Sequence, residues 1–136
     1  MKRRTTVLFL LLLALLLFGL YAYKEYNRRP ADLSKAKAAL LVDAKTLVSS
    51  YLLNEEEANE HYLGKIIEVT GIVVDSEQQN IIVGDAKTTN NVSCTMDSAI
   101  HAAGRLPSLG MLVTIRGICT GFLVDVELNR CVIVND

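Results

Sequence analysis

Hydrophobic and polar positions divide the chain into an N-terminal apolar run and a longer segment of mixed patterns. The basic residues Lys2, Arg3 and Arg4 precede an uncharged run over residues 5–23. As a helix that run would span about 28 Å, close to the ~30 Å hydrocarbon core of a bilayer. Basic residues before an apolar run are typical of the cytoplasmic side. The pattern predicts a basic tip and a transmembrane helix over residues 1–26.

A cleaved signal peptide is the alternative to an uncleaved anchor. Cleavage needs small residues just after the apolar run, and the candidate ending at Ala22 has bulky Leu20 in its minus-three position. No cysteine follows the run directly, so lipid attachment is not expected. We therefore expect a single-pass signal-anchor with the domain outside the cytoplasm, periplasmic or extracellular. Lys24, Arg28 and Arg29 partly balance the basic tip, so this orientation rests on the N-terminal position of the apolar segment.

The segment after the apolar run is predicted to be a spacer or stalk over residues 27–42, followed by the folded domain over 43–136. Residues 32–42 leave three alternatives open, because they could continue the membrane helix, form a short helix or remain a stalk. Two short helices follow. Asp43 suits an N-cap before apolar residues at helical spacing over 44–53. Asn54 suits a second N-cap, and that helix should end at Gly64.

From Lys65 onwards the period of the pattern changes to two, which predicts strands. Gly71 interrupts the first of them, and an interior glycine often marks a bend or bulge. Five strands with one short helix between the third and fourth are typical of an OB-fold barrel, here over residues 65–136. The predicted elements after the first strand are strands at 81–83, 92–96, 111–119 and 124–134, a helix at 97–103, and a bulge at Asn129–Arg130.

Charge and aromatic content argue against nucleic-acid binding. Residues 1–29 carry a net charge of +5 and residues 30–136 a net charge of −6, so the domain is acidic although the chain has a net charge of only −1. An acidic surface repels phosphate backbones. From Lys65 to the end, Phe122 is the one aromatic residue that could stack on a base. We expect no nucleic-acid partner.

Several spaced motifs resemble the bacterial tRNA-anti-like family of OB-fold domains. They cover about residues 43–136 and comprise NEEEANEHYLGK, IEVTGIV, VSCTM, VTIRGICTG and DVELNRCVIV. The resemblance implies a small, exported or membrane-attached protein with an OB fold. It implies no tRNA role and supplies no catalytic residue. Within and beside these motifs we expect structural roles for Gly71, Tyr62, Lys65 and Gly117.

The three cysteines are the first candidates for chemistry. In an exported domain, two of Cys94, Cys119 and Cys131 could form a disulfide, with three possible pairings. The alternative is that all three are small core residues. A metal site is not expected, because the chain has no C-x-x-C spacing.

Other polar residues have simpler structural explanations. His61 and His101 each lack a second ligand four residues on. The acidic run 55–57 suits the first turn of a helix. The sequon at Asn91 contains a valine that should lie in a strand core, so we discount glycosylation. A haem-chaperone role is also disfavoured, since no histidine follows His101.

The sequence therefore predicts a noncatalytic binding or protein-interaction module at the cell envelope, with the membrane and envelope proteins as partners. No enzyme activity and no cofactor are expected, because no nucleophile and base can be paired. The alternative is an OB domain that binds a small ligand or cation at the barrel mouth, near Asp75, Glu77, Asp85 and Asp125.

Overall fold

The computed structural model describes residues 2–27, 32–77, 79–97 and 106–134. It contains two compact units, Met1–Ala31 and Asp32–Asp136. The first unit holds helix α1, Lys2–Tyr26. Its segment Thr6–Tyr26 is long and apolar enough to cross a membrane, as either an anchor or a signal would be.

The second unit is a barrel preceded by a short strand and two helices. Its elements are β1 (Leu40–Asp43), α2 (Ala44–Leu53), α3 (Glu55–Tyr62), β2 (Ile66–Glu77), β3 (Asn80–Gly84), β4 (Val92–Met96), β5 (Leu112–Phe122) and β6 (Val126–Val134).

Strands β2 to β6 close on themselves, because β2 pairs with both β3 and β5 and the remaining neighbours are β3–β4, β4–β6 and β6–β5. Within the barrel the β4–β6 pair is parallel and the others are antiparallel. This confirms the predicted five-stranded OB-type barrel, while the helix expected at 97–103 lies almost wholly outside the described residues.

Strand β1 was not among the three alternatives for residues 32–42. It pairs in parallel with β2, from Leu40 opposite Ile67 to Asp43 opposite Thr70. Leu33, further upstream, is only 1% exposed. Part of the segment expected to be a stalk is therefore built into the folded unit.

The two predicted helices begin at their predicted caps. The Asp43 carboxylate accepts hydrogen bonds from the backbone N–H groups of Lys45 (3.0 Å) and Thr46 (3.3 Å). The Asn54 side chain accepts one from the N–H of Glu57 at 3.3 Å. These bonds satisfy amide groups that the first turn of a helix leaves without partners.

Gly71 lies where β2 exchanges one partner strand for another. Residues before it pair with β5, Ile72 faces both Leu112 of β5 and Gly84 of β3, and later residues pair with β3. A Cβ on Gly71 would lie 2.9 Å from Ala44 Cβ and 3.3 Å from that of Val83. The close approach of α2 and β3 thus leaves no room for a side chain.

The barrel interior is apolar and helices α2 and α3 pack against it. Tyr51 of α2 is 2% exposed and stacks on Phe122, with ring centroids 5.6 Å apart; the Tyr62 ring lies 6.1 Å from that of Tyr51. Lys65 follows α3 and its Nζ donates to the Glu60 carbonyl at 3.1 Å. The buried core residues of the strands are Ile67, Val69, Val73, Ile81, Val83, Val92, Cys94, Met96, Ile115, Cys119, Val126, Leu128 and Cys131.

Candidate binding groove

A groove runs between the start of α2, the β2–β3 pair and the segment leading into β5. Its volume is about 620 Å³. Ligand sites commonly have volumes of about 300–1,000 Å³. The lining is largely apolar or backbone, and comprises Asp43, Ala44, Lys45, residues 71–74, 84–86, 109–110 and Leu112.

Four large apolar side chains lie exposed beside this groove. Ile72 is 49% exposed, Leu109 67%, Met111 51% and Leu112 70%. They are held near one another by the barrel, because Ile72 faces Leu112 in the β2–β5 ladder and the Val73 N–H donates to the Met111 carbonyl at 2.9 Å. We call these four residues the apolar rim.

A second recess of about 330 Å³ adjoins the groove and shares part of its lining. Both are lined by Ala44, Lys45, Gly84 and Asp85. The second recess extends along α2 to Leu52, which is 58% exposed, and along the loop between β3 and β4. Together the two recesses offer an extended surface rather than a closed pocket.

Asn91 fixes the loop that forms one wall of the second recess. It is 8% exposed, and its Oδ1 accepts hydrogen bonds from the Asp85 N–H (3.0 Å) and the Thr88 hydroxyl (3.4 Å). Its own N–H donates to Asp125 Oδ1 at 2.7 Å. A side chain on Gly84 would collide with the Asn91 amide. The Asn91 side chain is thus used inside the fold, which agrees with discounting the glycosylation sequon.

The four acidic residues expected near the barrel mouth do not form one cluster. Asp85 and Asp125 are both connected to Asn91 at one end of the barrel. Glu77 faces Asn80 at the opposite end of the β2–β3 ladder. Asp75 faces Ile82, two positions before Glu77 and directly after the bulge of β2. Among the described residues, no group of three His, Cys, Asp or Glu side chains could hold a metal ion.

His61 and the acidic run 55–57 are not among the residues that line the groove. His61 lies in the last turn of α3 beside Tyr62, with ring centroids 6.2 Å apart. His101 lies outside the described residues. Residues 55–57 form the first turn of α3, as their sequence position indicated.

All three cysteines are buried and present as free thiols. The Cys119 Sγ lies 3.3 Å from the Tyr51 hydroxyl. Burial of Tyr51, followed by this contact, raises the pKa of that tyrosine above its ordinary value. The Cys94 thiol instead hydrogen-bonds with that of Cys131; this bond, followed by burial, raises the pKa of Cys94.

Arg116 joins the barrel to the chain upstream of β1. Its guanidinium donates to the Glu68 carboxylate through Nε (2.8 Å) and also through Nη2. Its Nη1 donates to the carbonyls of Leu33 (2.9 Å) and Ser34 (3.0 Å). No signal in the sequence indicated these contacts, because the backbone partners of Arg116 lie some eighty positions away.

The apolar rim was also missed, although a signal was available. Leu109, Met111 and Leu112 place three large apolar residues at a loop–strand junction, where alternation would put Leu112 on the face opposite to that of Leu109 and Met111. Such a cluster indicates either a core element or an exposed contact surface. The structure places all three at the surface.

The chain matches the tRNA_anti-like family over residues 1–133, and it belongs to that family. It is similar to the solved structure of a lipoprotein from Klebsiella pneumoniae subsp. pneumoniae MGH 78578, to which nucleic-acid binding has been provisionally ascribed. The two share 22% identity with a TM-score of 0.54, over 79% of this chain and 100% of the other. At that identity the likeness is evidence for the fold alone. Among curated proteins, no match to this chain was found.

Proposed function

We propose that this chain is a membrane-anchored protein whose extracytoplasmic OB-fold domain binds other envelope proteins and performs no chemistry of its own. The apolar rim beside the groove is the observation that carries this proposal. Its four residues are 49–70% exposed and adjoin a recess of about 620 Å³. Contiguous exposed apolar patches commonly mark interaction sites.

The anchor and orientation are supported by the N-terminal helix. A basic tip precedes an apolar stretch long enough to cross a membrane. An uncleaved helix would hold the domain at the membrane surface, where its partners would be other envelope proteins.

Nucleic-acid binding is not carried over from the Klebsiella lipoprotein. The domain segment has a net charge of −6. The Phe122 ring, the one aromatic residue after Lys65, is already stacked on Tyr51. A base would have to displace that contact, and it would gain little counterion release from an acidic surface.

The experiment that tests the proposal is photo-crosslinking in cells. A photoreactive amino acid is placed at Leu109 or Leu112 of the rim, and at Leu123 as a matched control. Leu123 is an equally apolar residue, 78% exposed, in the turn between β5 and β6 at the far end of β5. We expect a discrete protein adduct from the rim positions and none from Leu123. Rim positions that capture no protein neighbour would count heavily against the proposal.

A small ligand is the second candidate, favoured by the volume of the groove. A thermal-shift panel of metals, haem, nucleotides, oligonucleotides and glycan fragments separates it from a protein partner. A ligand at ~100 times its Kd stabilises the folded state by about 2.7 kcal/mol, a rise of roughly 10 °C for a domain of this size. A reproducible shift of that kind would move the ligand hypothesis to first place.

A further inference from the structure

The barrel interior contains two buried thiols on adjacent strands, Cys94 on β4 and Cys131 on β6. These strands are parallel neighbours, with Cys94 opposite Leu128 and Cys131 opposite Met96. Cys94 is 0% exposed and Cys131 is 1% exposed. The third cysteine, Cys119, is also buried, but its described partner is the Tyr51 hydroxyl.

The inward position of Cys131 depends on an irregularity in β6. Leu128 faces the interior, and in a regular strand the residue three positions later faces outward. Here a step of two positions on β4, from Cys94 to Met96, is paired with a step of three positions on β6, from Leu128 to Cys131. The extra residue is a bulge, and bulges re-aim side chains. It turns Cys131 into the barrel beside Cys94.

The bulge is maintained at a conformational cost. Arg130 has φ +57°, the left-handed region that residues other than glycine seldom adopt. The Cys131 carbonyl accepts a hydrogen bond from the Asp97 N–H at 2.9 Å, which helps to hold the distorted strand. Backbone strain of this kind persists only where the surrounding structure imposes it, and it often accompanies a functional feature.

A glycine on the facing strand makes room for the Cys131 sulfur. A Cβ on Gly117 of β5 would lie 2.5 Å from Cys131 Sγ. Any larger residue at position 117 would push that sulfur away from its present place. The bulge, the left-handed Arg130 and the glycine thus combine to hold the Cys131 sulfur inside the barrel, on the strand that pairs with that of Cys94.

We propose that Cys94 and Cys131 form an intramolecular disulfide across the β4–β6 seam, and that Cys119 remains a free thiol. The oxidant would be the disulfide of a thiol oxidoreductase or of a small thiol such as glutathione. One protein thiolate attacks this disulfide, and a mixed disulfide forms as one oxidant thiol leaves. The second protein thiol then displaces the other oxidant thiol. The two cysteines lose two electrons and two protons in total, and the oxidant is released as two thiols.

The timing of this step follows from burial. Thiolates are the reactive species, and the hydrogen bond and burial that raise the pKa of Cys94 disfavour its thiolate in the folded barrel. Oxidation therefore takes place before the barrel closes, and the finished disulfide is shielded from reductants afterwards. The disulfide would join cysteines that are 37 positions apart in the sequence. A crosslink that closes a loop of about this length substantially restricts the unfolded chain.

The test is a thiol count on the full-length protein. Membranes are quenched in acid, and the denatured protein is alkylated with a maleimide before and after reduction. A second sample is solubilised in detergent and equilibrated in a glutathione redox buffer with moderate urea, so that the thiols become accessible. We expect one alkylated cysteine before reduction and three after it, with a Cys94–Cys131 peptide in the mass spectrum.

Single serine variants identify the pair. Cys119→Ser should keep the disulfide, whereas Cys94→Ser and Cys131→Ser should each have two free thiols. A reductant should lower the Tm of the oxidised wild type by about 10 °C or more and leave that of Cys94→Ser unchanged. Three reduced cysteines in both samples, or a disulfide that includes Cys119, would overturn the proposal. A Cys94–Cys131 disulfide formed only in the redox buffer would support the pairing and contradict the extracytoplasmic location.

Discussion

Ala44 at the start of α2 lies directly against Gly71 of β2, and a Cβ on that glycine would approach Ala44 Cβ to 2.9 Å. Ala44 is the first residue after the Asp43 cap, so the cap bonds fix its position. Gly71 is fixed in turn, because the residues around it pair with β5 on one side and β3 on the other. Neither backbone can move away without losing hydrogen bonds.

Substitution of Gly71 should therefore destabilise the domain. We expect Gly71→Ala to lower the free energy of unfolding by about 1–3 kcal/mol and Gly71→Val by more, through overpacking. Thermal unfolding in detergent measures the change. Ala44→Gly in the Gly71→Ala background removes the 2.9 Å contact and should recover part of the loss. A Gly71→Val protein with the Tm of the wild type would show that the register of β2 is wrong.

Removal of the Arg116 guanidinium should loosen the segment upstream of β1. Arg116→Gln leaves the Glu68 carboxylate without its cation, and both side chains are largely buried, at 13% and 14% exposed. The carbonyls of Leu33 and Ser34 lose their donor as well. We expect a loss of about 2–3 kcal/mol and faster amide exchange in residues 33–40.

Arg130→Gln provides the comparison. The Arg130–Asp97 pair is longer, at 3.7 Å, and the Arg130 side chain is 33% exposed. Pairs of this kind contribute less than about 1 kcal/mol. Equal losses of unfolding free energy in the two variants would show that the buried contacts of Arg116 contribute no more stability than the more exposed pair of Arg130.

Burial of the Tyr51 hydroxyl, together with its contact to Cys119, should make the stability depend on alkaline pH. Folding raises the pKa of Tyr51. The stability gained from the protonated hydroxyl is therefore fully present below the pKa of tyrosine in the unfolded chain, about 10, and is lost as the pH rises above that value. Tyr51→Phe should cost about 0.5–1.5 kcal/mol at neutral pH and reduce the alkaline fall. Denaturant unfolding between pH 8 and about 11 measures both effects. An unchanged alkaline slope would contradict the assignment to Tyr51.

A charge on the apolar rim should abolish partner binding without unfolding the domain. Leu112 is 70% exposed, so Leu112→Arg should change the free energy of unfolding by no more than about 0.5 kcal/mol. The adduct formed through a photoreactive group at Leu109 should disappear. Leu123→Arg is the matched control and should leave that adduct intact. Equal loss from both variants would show that the rim is not the binding surface.

Asn91→Ala should destabilise the loop between β3 and β4. The Asp85 N–H would lose its acceptor, and we expect a cost of about 1–3 kcal/mol. Thr89→Ala, a change at an exposed position of the same loop, should cost little. Amide exchange at Asp85 reports the broken bond directly. Protection there that survives Asn91→Ala would show that another group holds the loop.

The elements that the sequence predicted well are those with a local cause. Asp43 and Asn54 are good caps, and α2 and α3 begin directly after them. The alternation after Lys65 and the bulge near Arg130 are also local signals, and the register of β4 with β6 confirms that bulge. The partner exchange at Gly71 followed from the strand pattern, because the first strand of a closed barrel serves both halves.

The features that escaped prediction depend on contacts between distant parts of the chain. Strand β1 is four residues long and has no alternation, so it exists only because β2 provides a pairing edge. The groove is assembled from segments near residues 44, 72, 85 and 110. Glu77 and Asp85 were both expected near the barrel mouth, but the antiparallel pairing of β2 with β3 places them at opposite ends of that ladder.

The Arg116 contacts and strand β1 also determine how the domain would bear a mechanical load. A pull on the N-terminal chain reaches the Leu33 and Ser34 carbonyls first, and then the four paired positions of β1. The helices and the barrel seam lie beyond them along the chain. Tension would thus act first on one guanidinium and one short parallel ladder, before it reaches the helices and the barrel.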